Sequence, residues 1–168
     1  MSGVQIQRAT LADLPAIRDL AAVIWHEHYP GIISCEQIDY MLARMYDVGT
    51  LQDEMLSKGV RFEKLLLDGA LIGYAGYGPI EPPGVWKLHK LYLRTGHHGT
   101  GLGSRLLQHC EREARAHGAI RIVLNVNKRN AKAIAAYERN GFSVAESMVL
   151  DCGNGFVMDD FVMAKRLA

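Results

Sequence analysis

What this sequence withholds narrows its chemistry before any motif is considered. It has only three cysteines, Cys35, Cys110 and Cys152. An odd number without a C-x-x-C pair gives neither a disulfide framework nor a zinc site, and fits a reducing compartment. It lacks an excess of either charge, since 19 Lys and Arg face 18 Asp and Glu for a formal net charge of +1. So neutral a chain offers no broad basic face, and nucleic acid is not an expected partner. No run of about 18 apolar residues is present, so no membrane-spanning helix is expected. The opening MSGVQIQRATLADLP has no basic segment followed by an apolar stretch, which argues against a secretory signal and for the cytoplasm. Repeats, linkers and low-complexity tracts are missing too. What remains is 168 residues, 49% of them hydrophobic, enough for one domain over 1–168 with its own core.

The alternation around Val4 and Ile6 predicts a strand, followed by a helix entered near Thr10 to Asp13 with Pro15 in its first turn. Leu14, Ile17, Leu20, Ala21, Ile24 and Trp25 form its apolar stripe, and Pro30-Gly31 ends it. Ser34 with Gln37 predicts a capping box opening a second helix, with a short third over Thr50 to Ser57. Arg61 to Asp68 and Leu71 to Tyr77 predict strands joined by an Asp68-Gly69 hairpin turn. Val85 to Leu93 is a fourth strand, Leu102 to Gly118 a helix, and Ile120 to Val126 a strand. Asn130 to Asn140 is a helix capped by Asn130, before two strands around Phe142 to Leu150 and Phe156 to Ala164. This order predicts a mixed α/β (α+β) fold, with helices on both faces of a mostly antiparallel twisted sheet of about seven strands. The unit from Val85 to Val126 needs a right-handed crossover, hence one parallel strand pair.

The stretch from Leu91 to Gly103 is a strand that empties into a glycine-rich turn and then a helix. Gly96, Gly99, Gly101 and Gly103 allow positive φ and close approach, so the amides of residues 98 to 103 can face an anion beside a helix N-terminus. A tight turn without a ligand explains the glycines equally well. A P-loop is excluded, because the turn has no lysine where G-x-x-x-x-G-K-[ST] requires one. A dinucleotide fold fits poorly, since the next strand ends in Asn125, Val126 and Asn127 rather than in an acidic residue.

The second informative stretch runs from Asn127 to Phe142. Together the two resemble the GNAT superfamily of acetyl-CoA-dependent N-acetyltransferases. His98, Gly101 and Gly103 match its (Q/R)-x-x-G-x-(G/A) pattern, with His98 as the departure, and Asn130, Ala133, Tyr137, Gly141 and Phe142 match N-x-x-A-x-x-x-Y-x-x-x-G-F. The resemblance covers nearly the whole chain and implies the family's sheet, with a splayed parallel strand pair. It also implies acetyl-CoA as co-substrate. Cofactor contacts would fall to Leu91, Tyr92 and Leu93 for the pantetheine arm, and to His98, Gly99, Thr100, Gly101, Leu102, Gly103 and Ser104 for the pyrophosphate. Asn130 and Tyr137 would complete them. Seven residues make about two helical turns, so Asn130 and Tyr137 share a face. Taken without the motif, Asn130 is a plain N-cap and Tyr137 a core aromatic.

Aminolysis of a thioester needs a neutral amine, a stabilised oxyanion and a proton for the departing thiolate. Tyr137 is the expected acid, His89 the first candidate base on the face of Leu91 and Leu93, and the Leu93 amide the oxyanion donor. A buried, hydrogen-bonded role explains His89 equally well. No metal is expected, since His26 and His28 share no helical face and H-E-x-x-H is absent. Lys128, Arg129 and Lys132 are placed near the CoA phosphates or on a solvated face.

The family's acceptor enters near Trp25 to Cys35 and Asp151 to Asp160. There Trp25, Tyr29 and Phe156 offer apolar walls, and Glu27, Glu36, Asp39, Asp151, Asp159 and Asp160 would attract a cation. The segment before Tyr46 and the ending from Asp159 to Lys165 resemble, weakly, the bacterial spermidine/spermine N-acetyltransferases. The expected partner is thus a small-molecule amine such as a polyamine. A protein N-terminal or lysine acetyltransferase and a non-catalytic acetyl-CoA sensor stay open, and a homodimer is compatible with the residues without being required by them.

Overall fold

The computed structural model describes residues 3–167; residues 1, 2 and 168 of the expected domain lie outside it. The chain runs β1 (Val4–Arg8), α1 (Leu14–His28), α2 (Cys35–Met45), α3 (Val48–Ser57), β2 (Arg61–Leu67), β3 (Ala70–Ile80), β4 (Val85–Leu93), α4 (Leu102–Ala116), β5 (Arg121–Asn127), α5 (Ala131–Arg139), β6 (Ser143–Gly153) and β7 (Phe156–Arg166). One sheet has the order β1-β2-β3-β4-β5-β7-β6, antiparallel throughout except for the parallel β4–β5 pair. The expected mixed fold is thus the observed one.

Local signals account for most junctions. Asp68 and Gly69 both take positive φ, 50° and 82°, which builds the tight β2–β3 turn. Thr10 and Asp13 form a reciprocal capping box ahead of α1, with the Thr10 amide donating to Asp13 Oδ2 at 2.8 Å. The box expected at Ser34 and Gln37 is only half made. Ser34 accepts from the Gln37 amide, but the buried Gln37 side chain donates instead to the Val157 carbonyl at 2.8 Å, pinning α2 to β7.

Each sheet face buries its own apolar cluster. Under α4 and α5 lie Trp86, Leu88, Leu93, Leu106, Leu107, Cys110 and Ile122, with Tyr137 packed at the margin. Under α1 to α3 lie Ile17, Ile24, Trp25, Ile38, Phe62 and Tyr74. Burying either cluster is what holds the helices to the sheet.

Two irregularities in β4 open the centre of the sheet. Its pairing with β5 stops at Leu88↔Leu124, although β4 continues to Leu93 and β5 to Asn127, so the strands splay apart. On the β3 side, Gly76 opposes Lys90 and Tyr77 opposes Leu88, which leaves His89 as a bulge. Trp86 and Leu88 before the bulge, and Leu91 and Leu93 after it, pack in one cluster. The two-residue period that placed His89 beside Leu91 and Leu93 breaks at this point.

Candidate active site

The splay exposes main chain on one edge of β4. The Arg94 amide donates to the Ile72 carbonyl at 2.9 Å, which puts Ile72 and Arg94 among the hydrogen-bonded pairs of β3 and β4. Alternation then turns the main chain of Tyr92 toward Tyr74, and that of Leu91 and Leu93 toward the opened β5 side. The Tyr92 side chain lines the cavity instead, its hydroxyl 3.0 Å from that of Tyr29.

Beyond β4, Gly99 (φ 77°) and Gly101 (φ 82°) carry the chain into α4 in a conformation that L side chains rarely adopt. Gly101 is the N-cap and brings no side chain to the helix end. The first helical bond is Arg105 N–H to Gly101 C=O at 3.0 Å, so the amides of Leu102, Gly103 and Ser104 have no helical partner. A Cβ built on Gly99, Gly101 or Gly103 meets no protein atom within 4 Å. This open cradle of amides at a helix N-terminus fits a pyrophosphate.

His98, the departure from the family pattern, bridges three elements. Its Nε2 lies 2.8 Å from the Leu93 carbonyl and its Nδ1 2.9 Å from Lys132 Nζ. Since an ammonium only donates, Nδ1 accepts from Lys132 and Nε2–H donates to the Leu93 carbonyl. Of the three cations expected near the phosphates, only Lys132 lines the cavity. Lys128 pairs with Asp159 at 2.9 Å, and Arg129 donates to the Gly31 and Ile32 carbonyls, fastening the α1–α2 connection.

Asn130 is buried, and its Oδ1 accepts from the Ala133 amide at 3.3 Å, so it caps α5 at the cavity wall. Tyr137 lines the same cavity on the same helix, and its hydroxyl has no hydrogen-bond partner among the described residues. Burial holds its pKa well above that of an ordinary phenol.

One cavity of about 830 Å³ runs from the glycine loop through the splay to a second half under α2 and α3. Trp25 and Tyr29 wall this second half as expected, whereas Phe156 stacks on Tyr40 outside it. Of the six carboxylates expected there, only Asp151 and Asp160 line it. Glu27 binds Arg94 and Thr95, Asp39 binds His26, Asp159 binds Lys128, and Glu36 is exposed. Sequence reasoning missed Glu54, Lys58 and Lys87 in this lining, because the α3 helix that brings the first two carries no motif.

Two of the titratable groups lining this half have strongly shifted pKa values. His89 is pushed down to about 4, first by burial and then by the charges of Lys87, Lys90 and Lys58. Asp160 on β7 is 4% exposed, its Oδ1 is buried without a hydrogen-bond partner among the described residues, and it is pushed up to about 6 by burial and by neighbouring Asp159. Cys152 also lines the cavity, and burial together with Asp160 and Asp151 raises its thiol pKa.

Comparison with known proteins gives a consistent picture. The profile of a family described as acetyltransferase (GNAT) matches residues 23–142. A spermidine N(1)-acetyltransferase of Thermoplasma acidophilum is 26% identical over 160 residues, covering 93% of this chain and 96% of the relative. An L-methionine sulfoximine/L-methionine sulfone acetyltransferase of Pseudomonas aeruginosa is 35% identical over 83 residues, 48% of each chain. Among solved structures, a PaiA N-acetyltransferase from Thermoplasma acidophilum in complex with coenzyme A superimposes with a TM-score of 0.83 at 26% identity, covering 99% of both chains.

Proposed function

From the premise that this chain belongs to the acetyltransferase (GNAT) family and is an acetyl-CoA-dependent N-acetyltransferase, we propose that it acetylates the primary amine of a small molecule by direct attack within a ternary complex. The observation that carries this reading is the single continuous cavity, with the amide cradle at one end, Asp160 at the other, and Tyr137 at the splay between them. Relatives named for spermidine and for methionine sulfoximine support a small amine-bearing acceptor.

The loop amides from Gly99 to Ser104, with Lys132 beside them, hold the pyrophosphate. The exposed main chain of Leu91 and Leu93 aligns the pantetheine arm like an added strand, and the Leu93 amide faces the carbonyl oxygen that gains charge. An acceptor ammonium with an ordinary pKa of about 10.4 must lose a proton before it attacks. Asp160 is the stronger base for this. A carboxylate at about 6 is mostly ionised at pH 7 and pairs with the ammonium whose proton it takes, whereas a histidine at about 4 ringed by lysines holds a proton weakly. Tyr137 donates its phenolic proton to the departing thiolate. The burial that keeps the phenol protonated also strips solvent from the thiolate, which strengthens it as a base.

A covalent acetyl-cysteine route is disfavoured by the raised pKa of Cys152, because the thiolate is the nucleophile. Thiol release from acetyl-CoA, with both substrates varied, tests the scheme. Intersecting initial-rate lines and an active Cys152→Ala protein are expected. Parallel lines together with acetyl trapped on the protein would replace direct attack by a two-step route.

A further inference from the structure

The acceptor half of the cavity holds opposite charges that the protein leaves uncombined. Lys90 is buried, but both carboxylate oxygens of Glu54 receive its ammonium at 3.0 Å. Lys87, earlier on the same strand and in the same lining, has no such partner. It is half-buried, and its ammonium makes no hydrogen bond or ion pair among the described residues. Arg44 and Lys58 rim the same half. Arg44 donates to the Tyr40 hydroxyl, and Lys58 meets only Asp53, at 3.7 Å, among the described residues. The carboxylates that could balance these cations are mostly engaged. Glu54 serves Lys90, and Asp151 accepts the Gly153 amide at 2.8 Å in the hairpin turn. Asp160 alone presents a buried oxygen without a partner among the described residues.

A half-buried lysine without a hydrogen-bonded counterion is unfavourable in the empty protein: burial lowers its pKa, and the charge of Asp160 offsets this only in part. A polycation entering here would meet Lys87, Arg44 and Lys58 with one free buried carboxylate to receive it, so like charges would oppose it. A molecule carrying an ammonium and a carboxylate would satisfy both poles at once. Met41, Met45, Met158 and Leu150 line the remaining wall, and flexible thioethers adapt to an unbranched apolar side chain.

Resting on the small-amine reading above, we infer that the acceptor carries a carboxylate as well as its amine, that Lys87 binds that carboxylate while Asp160 receives the amine, and that the substrate class is amino acids with unbranched apolar side chains. The experiment compares acid and amide pairs that differ only in the carboxylate. Thiol release from acetyl-CoA is measured with L-methionine against L-methioninamide, L-norleucine against its amide, and spermidine as the polycation. A charge-assisted hydrogen bond corresponds to about a ten- to hundredfold preference, so kcat/KM for each acid should exceed that for its amide and for spermidine on that scale. Lys87→Met keeps the aliphatic stem and should remove the preference through KM for the acids; because Lys87 also lowers the Asp160 pKa, acid and amide are compared within the variant at a pH well above 6, where their kcat/KM values should agree within about twofold. Unchanged calorimetric affinity for CoA reports that the variant is folded. Equal rates on acid and amide, or a preference for spermidine, would overturn the inference while leaving amine acetylation standing. Absence of amine-dependent thiol release with every amine tried, in protein that binds CoA, would overturn both.

Discussion

The residue that best shows how environment makes chemistry is Asp160. As a carboxylate in a sequence it is one of eighteen acidic residues, and only the placement of β7 between β5 and β6 buries it. Its folded pKa of about 6 lies above the ordinary 3.8. The folded state therefore binds the proton more tightly than the unfolded state, and stability due to this group is full below about pH 4 and lost as pH rises through 6. Activity runs the other way. The base works ionised, so kcat/KM should fall tenfold per pH unit below about 6, with Lys87, Lys128 and Asp159 as the charges that tune the midpoint. Asp160→Asn should abolish this limb together with most of the turnover, yet stabilise the protein at neutral pH by up to about 3 kcal/mol in denaturant unfolding. A variant that stays active would remove Asp160 from the base role, and one that loses stability would contradict its raised pKa. Tyr137→Phe keeps the ring and loses the proton, so kcat should fall about a hundred- to ten-thousandfold while calorimetric CoA affinity holds. Normal turnover in that variant would assign the protonation to water.

At the scale of elements, the turn between β4 and α4 was legible because glycine spacing and strand-to-helix context appear directly in the letters. The same holds for Asn130 and Tyr137, whose seven-residue separation already places them on one helical face. The bulge at His89 was not legible, since it arises from a mismatch of register with β3 that no residue of β4 announces. Nor were the partners of Glu27, Arg129 and Asp39, because side-chain contacts across 13 to 98 residues of sequence depend on the finished packing. The glycine loop makes a paired prediction. Gly103 has helical backbone and open space around its missing Cβ, so Gly103→Val should weaken CoA binding at least tenfold, with a melting temperature changed by only a few degrees. Gly101 sits at φ 82°, so Gly101→Val should weaken binding and also destabilise the fold. Equal melting temperatures for the two variants would contradict the left-handed cap.

For the molecule as a whole, element order was the most legible feature, because each strand or helix has its own period and its own stop signal. The positions of the last two strands relative to each other were less so. β7 inserts beside β5 and leaves β6 at the edge, which decides that Asp160 faces the cavity while Val149 stays exposed. Among the described residues no helix is long and apolar enough to cross a membrane.

The splay between β4 and β5 also bears on how long the protein survives. A sheet interrupted at its centre has main-chain donors and acceptors that water must serve until a ligand takes them over. Whatever bridges that gap closes the sheet, joining the half that holds β1 to β4 to the half that holds β5 to β7. Ligand at a hundredfold above its dissociation constant adds about 2.7 kcal/mol to the unfolding free energy. Bound CoA should therefore slow amide hydrogen exchange in Leu91, Leu93 and the β5 end from Asn125 to Asn127, and should delay proteolysis of the whole chain. The cell's supply of acetyl-CoA would then set the abundance of the protein as well as its rate, falling levels of donor exposing it to turnover just when it has nothing to transfer.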